Sequence, residues 1–200
     1  DDGSFRVELP AMKADGKPHT LTVKGKNTIT LKDVLLGEVW ICSGQSNMEW
    51  RVGATMNAKQ EIATANHPQI RLFNVGGHVA GPVPLKDPRG SWQVCGSKNI
   101  SGFSAVGYFF GRALQKELNV PIGLVGTNWG GTRIEPWTPP VGFKQVPQLR
   151  DYVENLDAID PATPAGKANH QKYLANVEKW LKQARLDVQA GKAIGTPPRL

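Results

Sequence analysis

The chain has 200 residues, 40% of them hydrophobic, which suffices for one domain with a real core, and no apolar run approaches the length that spans a bilayer. Its formal charge of +7 comes from 24 Lys and Arg scattered so that no two are adjacent, which argues against a polybasic nucleic-acid footprint and reads as a solubility feature. Cys42 and Cys95 lack CxxC spacing, so the sequence indicates neither a disulfide framework nor a zinc site.

Residues 1–36 read as short strands. Phe5, Val7 and Leu9 alternate, as do Leu21 and Val23, and Ile29 and Leu31, with turn signals at Asp15-Gly16-Lys17-Pro18 and Gly25-Lys26-Asn27. A three-stranded meander of this size has no core of its own and needs a packing partner. Gly37–Arg51, GEVWICSGQSNMEWR, is the stretch around which the chain is organised. Val39 to Cys42 form an apolar run too short for a helix, read as a strand buried on both faces, the usual state in a parallel sheet. Gly44 permits the turn after it, and Ser46 then stands at the strand's carboxyl end where a helix begins, a place suited to a nucleophile and its oxyanion. Such Gly/Ser/Asn junctions are also ordinary turn chemistry. Met48 fills the place of the second glycine of G-x-S-x-G, which disfavours the α/β-hydrolase elbow.

Asn57–Asn66 reads as a short helix and Gln69–Val75 as a strand, a β-α-β alternation that favours a parallel sheet with helices on its faces. Gly76–Gly102 reads as a long Gly- and Pro-rich loop, in which Trp92 either lines a ligand subsite or anchors the loop. Ser104–Leu118 is the clearest helix, with Ser104 as N-cap and Asn119 and Pro121 ending it. Gly107 lies in its first turn, where an amide has no intrahelical partner; it is either open to an oxyanion or simply lets the helix pack close to the sheet. Ile122–Thr127 is the next strand, with Asn128 at its carboxyl end, so Ser46, Gly107 and Asn128 fall on one rim of an open sheet. Val146–Leu156 and Ala168–Gln189 read as helices, the latter with Tyr173, Val177, Trp180, Leu181, Ala184 and Val188 on one packing face.

Two blocks carry a resemblance. Gly44-Gln45-Ser46-Asn47-Met48-Glu49-Trp50, preceded by Gly37-Glu38-Val39-Trp40, and Gly123–Thr132 (GLVGTNWGGT) followed by Ile134-Glu135-Pro136-Trp137 closely resemble the sialate O-acetylesterase family, a branch of the SGNH hydrolases. The resemblance implies an α/β fold, an SGNH-type three-layer parallel sheet over residues 37–200, with residues 1–36 as the last strands of a preceding β-sandwich domain. It implies a serine carbohydrate esterase removing O-acetyl groups, most of all from sialic acids, with an acetylxylan esterase or a non-catalytic sugar-binding fragment as alternatives.

In that family pattern Ser46 is the nucleophile, and the amides of Ser46 and Gly107 with the Asn128 side chain form the oxyanion hole. Here Trp129 stands where the wider superfamily has an Asp after the Asn. Gln45 and Glu49 are expected to shape the substrate pocket, and Gly130 to floor it in a tight Gly130-Gly131-Thr132 turn. No metal or organic cofactor is expected. The family's base and its orienter come from a late D-x-x-H block, yet Gly16, Thr64, Val75 and Lys167 stand three residues before His19, His67, His78 and His170. The expected partners are therefore an acetylated carbohydrate and a complementary segment or chain, beyond Leu200, bringing Asp-x-x-His, with no nucleic acid and no membrane span. A secreted, periplasmic or lysosomal-type compartment is expected.

Overall fold

The computed structural model describes residues 4–77, 81–85 and 87–200; His78 lies outside them. Two compact units divide the chain: residues 1–78 with 88–132, and residues 79–87 with 133–200. The hairpin before residue 36 falls in the same unit as the central sheet.

In the first unit, β1 (His19–Lys24) and β2 (Thr28–Val34) form an antiparallel hairpin that pairs Leu21 with Leu31 and Val23 with Ile29. The third strand expected at Phe5–Leu9 does not form. Phe5, Val7 and Leu9 are 73%, 68% and 58% exposed; the hairpin leaves Leu21, Ile29 and Leu31 exposed as well, and a two-stranded ribbon this small is a weak template for a third strand.

The central sheet has the order β3-β6-β4-β5, from β3 (Glu38–Cys42), β4 (Asn66–Asn74), β5 (Gln93–Gly96) and β6 (Ile122–Gly126). β6 pairs in parallel with both β3 and β4, as β-α-β alternation requires, while β5 adds antiparallel to β4. β5 lies inside the expected loop; its four residues are too few to show a period.

Strand periodicity sorts the faces of β6. Ile122 and Leu124 point to the core with Ile70 and Leu72 of β4, beneath α3 (Ala105–Leu118), which buries Tyr108 and Gly111 there. A Cβ on Gly111 would stand 2.6 Å from Leu124 Cδ1, so this glycine lets the helix lie close. On the other face Gly123 packs against Trp92, which also meets Phe73 at 5.4 Å between ring centroids. Trp92 therefore anchors its segment to the sheet.

β3 corrects one expectation. It is a parallel strand, but it occupies the sheet edge: Val39 and Ile41 are 63% and 71% exposed, and Cys42 is its one buried residue. Cys42 and Cys95 are both buried free thiols. Burial pushes both up, Cys95 to about 12, so neither is a ready nucleophile.

The second unit holds α4 (Pro140–Lys144), α5 (Arg150–Ile159) and α6 (Pro164–Gln189). Thr163 caps α6 by accepting from the Gly166 amide at 3.0 Å, which starts the helix one turn before the expected Ala168. Of the stripe expected to pack, Ala184 is buried, and Tyr173, Val177 and Trp180 are half-buried, while Leu181 and Val188 are exposed. Among the described residues no helix is long and apolar enough to cross a membrane.

Candidate active site

The site is built where β3 and β6 end side by side. Cys42 lies opposite Gly126 in the parallel ladder, and both chains run on past it. Gly44 takes φ +145°, in the region that favours glycine, and a Cβ there would stand 2.7 Å from Met48 Cγ. That turn sets Ser46 at the first position of α1 (Ser46–Glu49). Ser46 is exposed, and among the described residues neither its hydroxyl nor its amide has a hydrogen-bond partner.

Four hydrogen bonds lace the loop after β6 onto this turn: Thr127 N–H to Cys42 O (3.1 Å), Trp129 N–H to Gly44 O (2.9 Å), Gly130 N–H to Glu49 Oε2 (2.6 Å), and Gln45 Nε2 to Thr132 O. Gln45 and Glu49, expected as pocket residues, thus spend their polar atoms joining the two sequence blocks. Gly130 is the contact itself: a Cβ on it would stand 2.4 Å from Glu49 Oε2 and 3.4 Å from Ser46 Oγ. No other residue type fits there without displacing Glu49.

Asn128 is half-buried on the β6 side of the rim, and its side-chain amide makes no hydrogen bond among the described residues. Its Nδ2 lies over Gly126, beside Asn74 Oδ1. Asn74 is a rim residue that no motif singles out, although its place as the last residue of β4, opposite Gly126, marks it.

Gly107 was expected to offer its amide to the oxyanion. Its amide donates to Ser104 Oγ at 3.1 Å, and the residue is buried, with Cys42 Sγ 2.9 Å from where its Cβ would be. The amide is already used by the cap, and the missing side chain seats α3 against the end of β3. The start of α3 is nonetheless tied to the rim, because Ala105 N–H donates to Trp50 O and Val52 N–H to Phe103 O.

No described imidazole reaches Ser46. His19 pairs with Asp15, His67 with Tyr108 and His170 with the Gly166 carbonyl. The described residues hold no cluster of three or more His, Cys, Asp or Glu able to take a metal ion. What the rim offers is a free hydroxyl that could attack a carbonyl, with a free amide beside it and a free carboxamide on the adjacent strand end, donors of the kind that stabilise an oxyanion.

Residues 36–193 match the family described as carbohydrate esterase, sialic acid-specific acetylesterase. The sialate O-acetylesterase of Rattus norvegicus is 42% identical over 163 residues, covering 74% of this chain and 30% of that protein. The human sialate O-acetylesterase is 39% identical over 148 residues, covering 68% and 28%. Among solved structures, a carbohydrate acetylesterase from Xanthomonas citri aligns with a TM-score of 0.62 at 38% identity, over 70% of this chain and 32% of that one. The chain spans about 30% of the length of these curated relatives.

Proposed function

The chain belongs to the carbohydrate-esterase family of sialic acid-specific acetylesterases, and from that membership we propose that it carries the nucleophile of a serine esterase that removes O-acetyl groups from sugars, O-acetylated sialic acid foremost. The observation that carries this reading is the rim, where the two blocks of residues 44–50 and 123–132 are laced together around an exposed Ser46 whose hydroxyl has no partner among the described residues.

In the proposed reaction Ser46 Oγ attacks the acetyl carbonyl carbon while a base takes its proton. The carbonyl oxygen becomes an oxyanion, met by the Ser46 amide and the Asn128 carboxamide. The sugar leaves with a proton, and water then releases acetate from the acetyl-serine by the same route in reverse. Glu49 and Gln45 fix the distance between the nucleophile's turn and the Asn128 loop, which is a positioning role. The base and its orienter come from polypeptide outside these 200 residues, as an Asp-x-x-His segment; every described histidine is engaged away from Ser46. The proposed setting is a secreted or lysosomal-type compartment.

Acetate release from O-acetylated sialic acid and from acetylated xylan, measured on the complete enzyme, tests the reading. Ser46→Ala should abolish release, a loss on the order of a millionfold in turnover by analogy with other serine hydrolases. Wild-type activity in Ser46→Ala would overturn it. The 200-residue chain alone should hydrolyse an aryl acetate no faster than its Ser46→Ala form, because no described histidine serves Ser46 there.

A further inference from the structure

Ile134-Glu135-Pro136-Trp137 ends the second family block, yet the proposed acyl transfer makes no use of it. In the second unit this turn forms one wall of a cavity of about 410 Å³, closed by α4 and α5. That is near the small end of the roughly 300–1,000 Å³ of ligand pockets, a size for one or two small rings.

The lining is mostly apolar, from Pro136, Pro140, Leu156 and Ile159, with one aromatic platform. Phe143 is buried and stacks behind Tyr152 at 5.5 Å and 20°, while Tyr152 keeps 39% of its surface exposed. An aromatic face is electron-rich and attracts the weakly positive C–H face of a saturated sugar ring.

Two polar groups in this lining have unspent capacity. The Tyr152 hydroxyl donates to Glu135 Oε1 at 3.0 Å, but Glu135 Oε2 is shut from solvent without a partner. A carboxylate oxygen shut from water is left wanting a donor. A small swing of the carboxylate toward the cavity would let a ligand O–H supply one. The carboxamide of Asn155 makes no hydrogen bond among the described residues. Among the described residues no Lys or Arg lines the cavity, and although Arg133 acts on Glu135 from outside the lining, an acidic ligand would meet the Glu135 charge first. Its own backbone amide, and then the Tyr152 hydroxyl, hold the Glu135 carboxyl below its usual range and therefore ionised near neutral pH. A wholly apolar ligand would cover both polar groups without pairing them.

We propose that this cavity binds a neutral pyranose, its C–H face on Tyr152 and its hydroxyls on Glu135 and Asn155. The proposal rests on the esterase reading only for its biological sense, the neutral sugar being a unit of the acetylated glycan; the binding itself needs no Ser46.

The test is saturation-transfer NMR on the 200-residue chain with methyl β-galactoside and methyl β-xyloside, set against methyl glucuronide, methyl galacturonide and an alkylamine. The neutral pyranosides should bind at millimolar concentration, the acidic sugars and the amine should not, and Ser46→Ala should change nothing. Asn155→Ala, at an exposed position that leaves the fold intact, should weaken binding about tenfold, the value of one hydrogen bond. Glu135→Gln should admit the acidic sugars. The proposal is overturned if no neutral pyranoside binds, if the acidic sugars or the amine bind as well, or if Asn155→Ala has no effect. A chain that binds sugar here while the complete enzyme releases no acetate would sink the esterase reading and leave this one standing.

Discussion

α3 has polar chemistry at both ends of its buried face, and the two ends spend it differently. At the rim, Ser46, its amide and the Asn128 carboxamide stand with no partner among the described residues. Within the unit, Glu61 of α2 (Ala58–Thr64), His67, Tyr108 and Arg112 satisfy one another. Tyr108, fully buried, donates to Glu61 Oε1 at 2.7 Å and accepts from Arg112 and His67, while Arg112 also pairs with Glu61 and lies over the Tyr108 ring. A satisfied network fixes how α2, β4 and α3 sit together. An unsatisfied set keeps its donors for something that is not part of the resting protein.

The rim carries the largest effect. Asn128→Ala should cut acetate release by the complete enzyme about a hundredfold to a thousandfold while leaving thermal stability within about 0.5 kcal/mol of wild type. Unchanged turnover would remove Asn128 from the oxyanion hole. Tyr108→Phe should do the reverse: a loss of roughly 1–3 kcal/mol in urea unfolding, from polar neighbours left short of a bond, with kcat/KM of the folded enzyme unchanged. A Tyr108→Phe protein as stable as wild type would mean that the network is ornamental.

The smallest effect is in pH. Burial first, and then Arg112, lower the His67 pKa below the ordinary 6.5, against an opposing pull from Glu61. The unfolded chain then binds a proton before the folded one as pH falls, so the stability due to His67 is full above the ordinary value and declines below it. The urea midpoint should drop modestly between about pH 7.5 and about pH 5.5, a span that brackets an ordinary histidine, and His67→Gln should flatten that drop. An equal slope in both proteins would separate His67 from the effect.

Two strands of the sheet, β3 and β6, were readable because each is short, largely apolar and bounded by Gly or Pro, whereas β5 was not. Ile122–Gly126 and Ala105–Leu118 came through almost to the residue, the latter because Ser104 and Asn119, at φ +52°, mark both ends. What stayed hidden depends on neighbours. Val39 to Cys42 has the composition of a central strand, and nothing local says that it lies at an edge. At Gly107 two readings of one sequence competed. A serine N-cap accepts from the amide two or three positions into the helix, Val106 or Gly107, and only the fold shows that Ser104 takes the Gly107 amide. Gln45 and Glu49 stand out for their closeness to Ser46, whereas their bonds run to Thr132 and Gly130, more than eighty positions on. Only the fold makes those pairs adjacent.

The outer side of β3 has a practical consequence. It presents an unpaired ladder of backbone donors and acceptors flanked by Val39, Trp40 and Ile41, all exposed, a few residues ahead of the nucleophile. A bare apolar strand margin of that kind is a template for self-association. The 200-residue chain in isolation will cohere with its own copies as concentration rises, and a lysine at position 41 is the single change best placed to keep it dispersed.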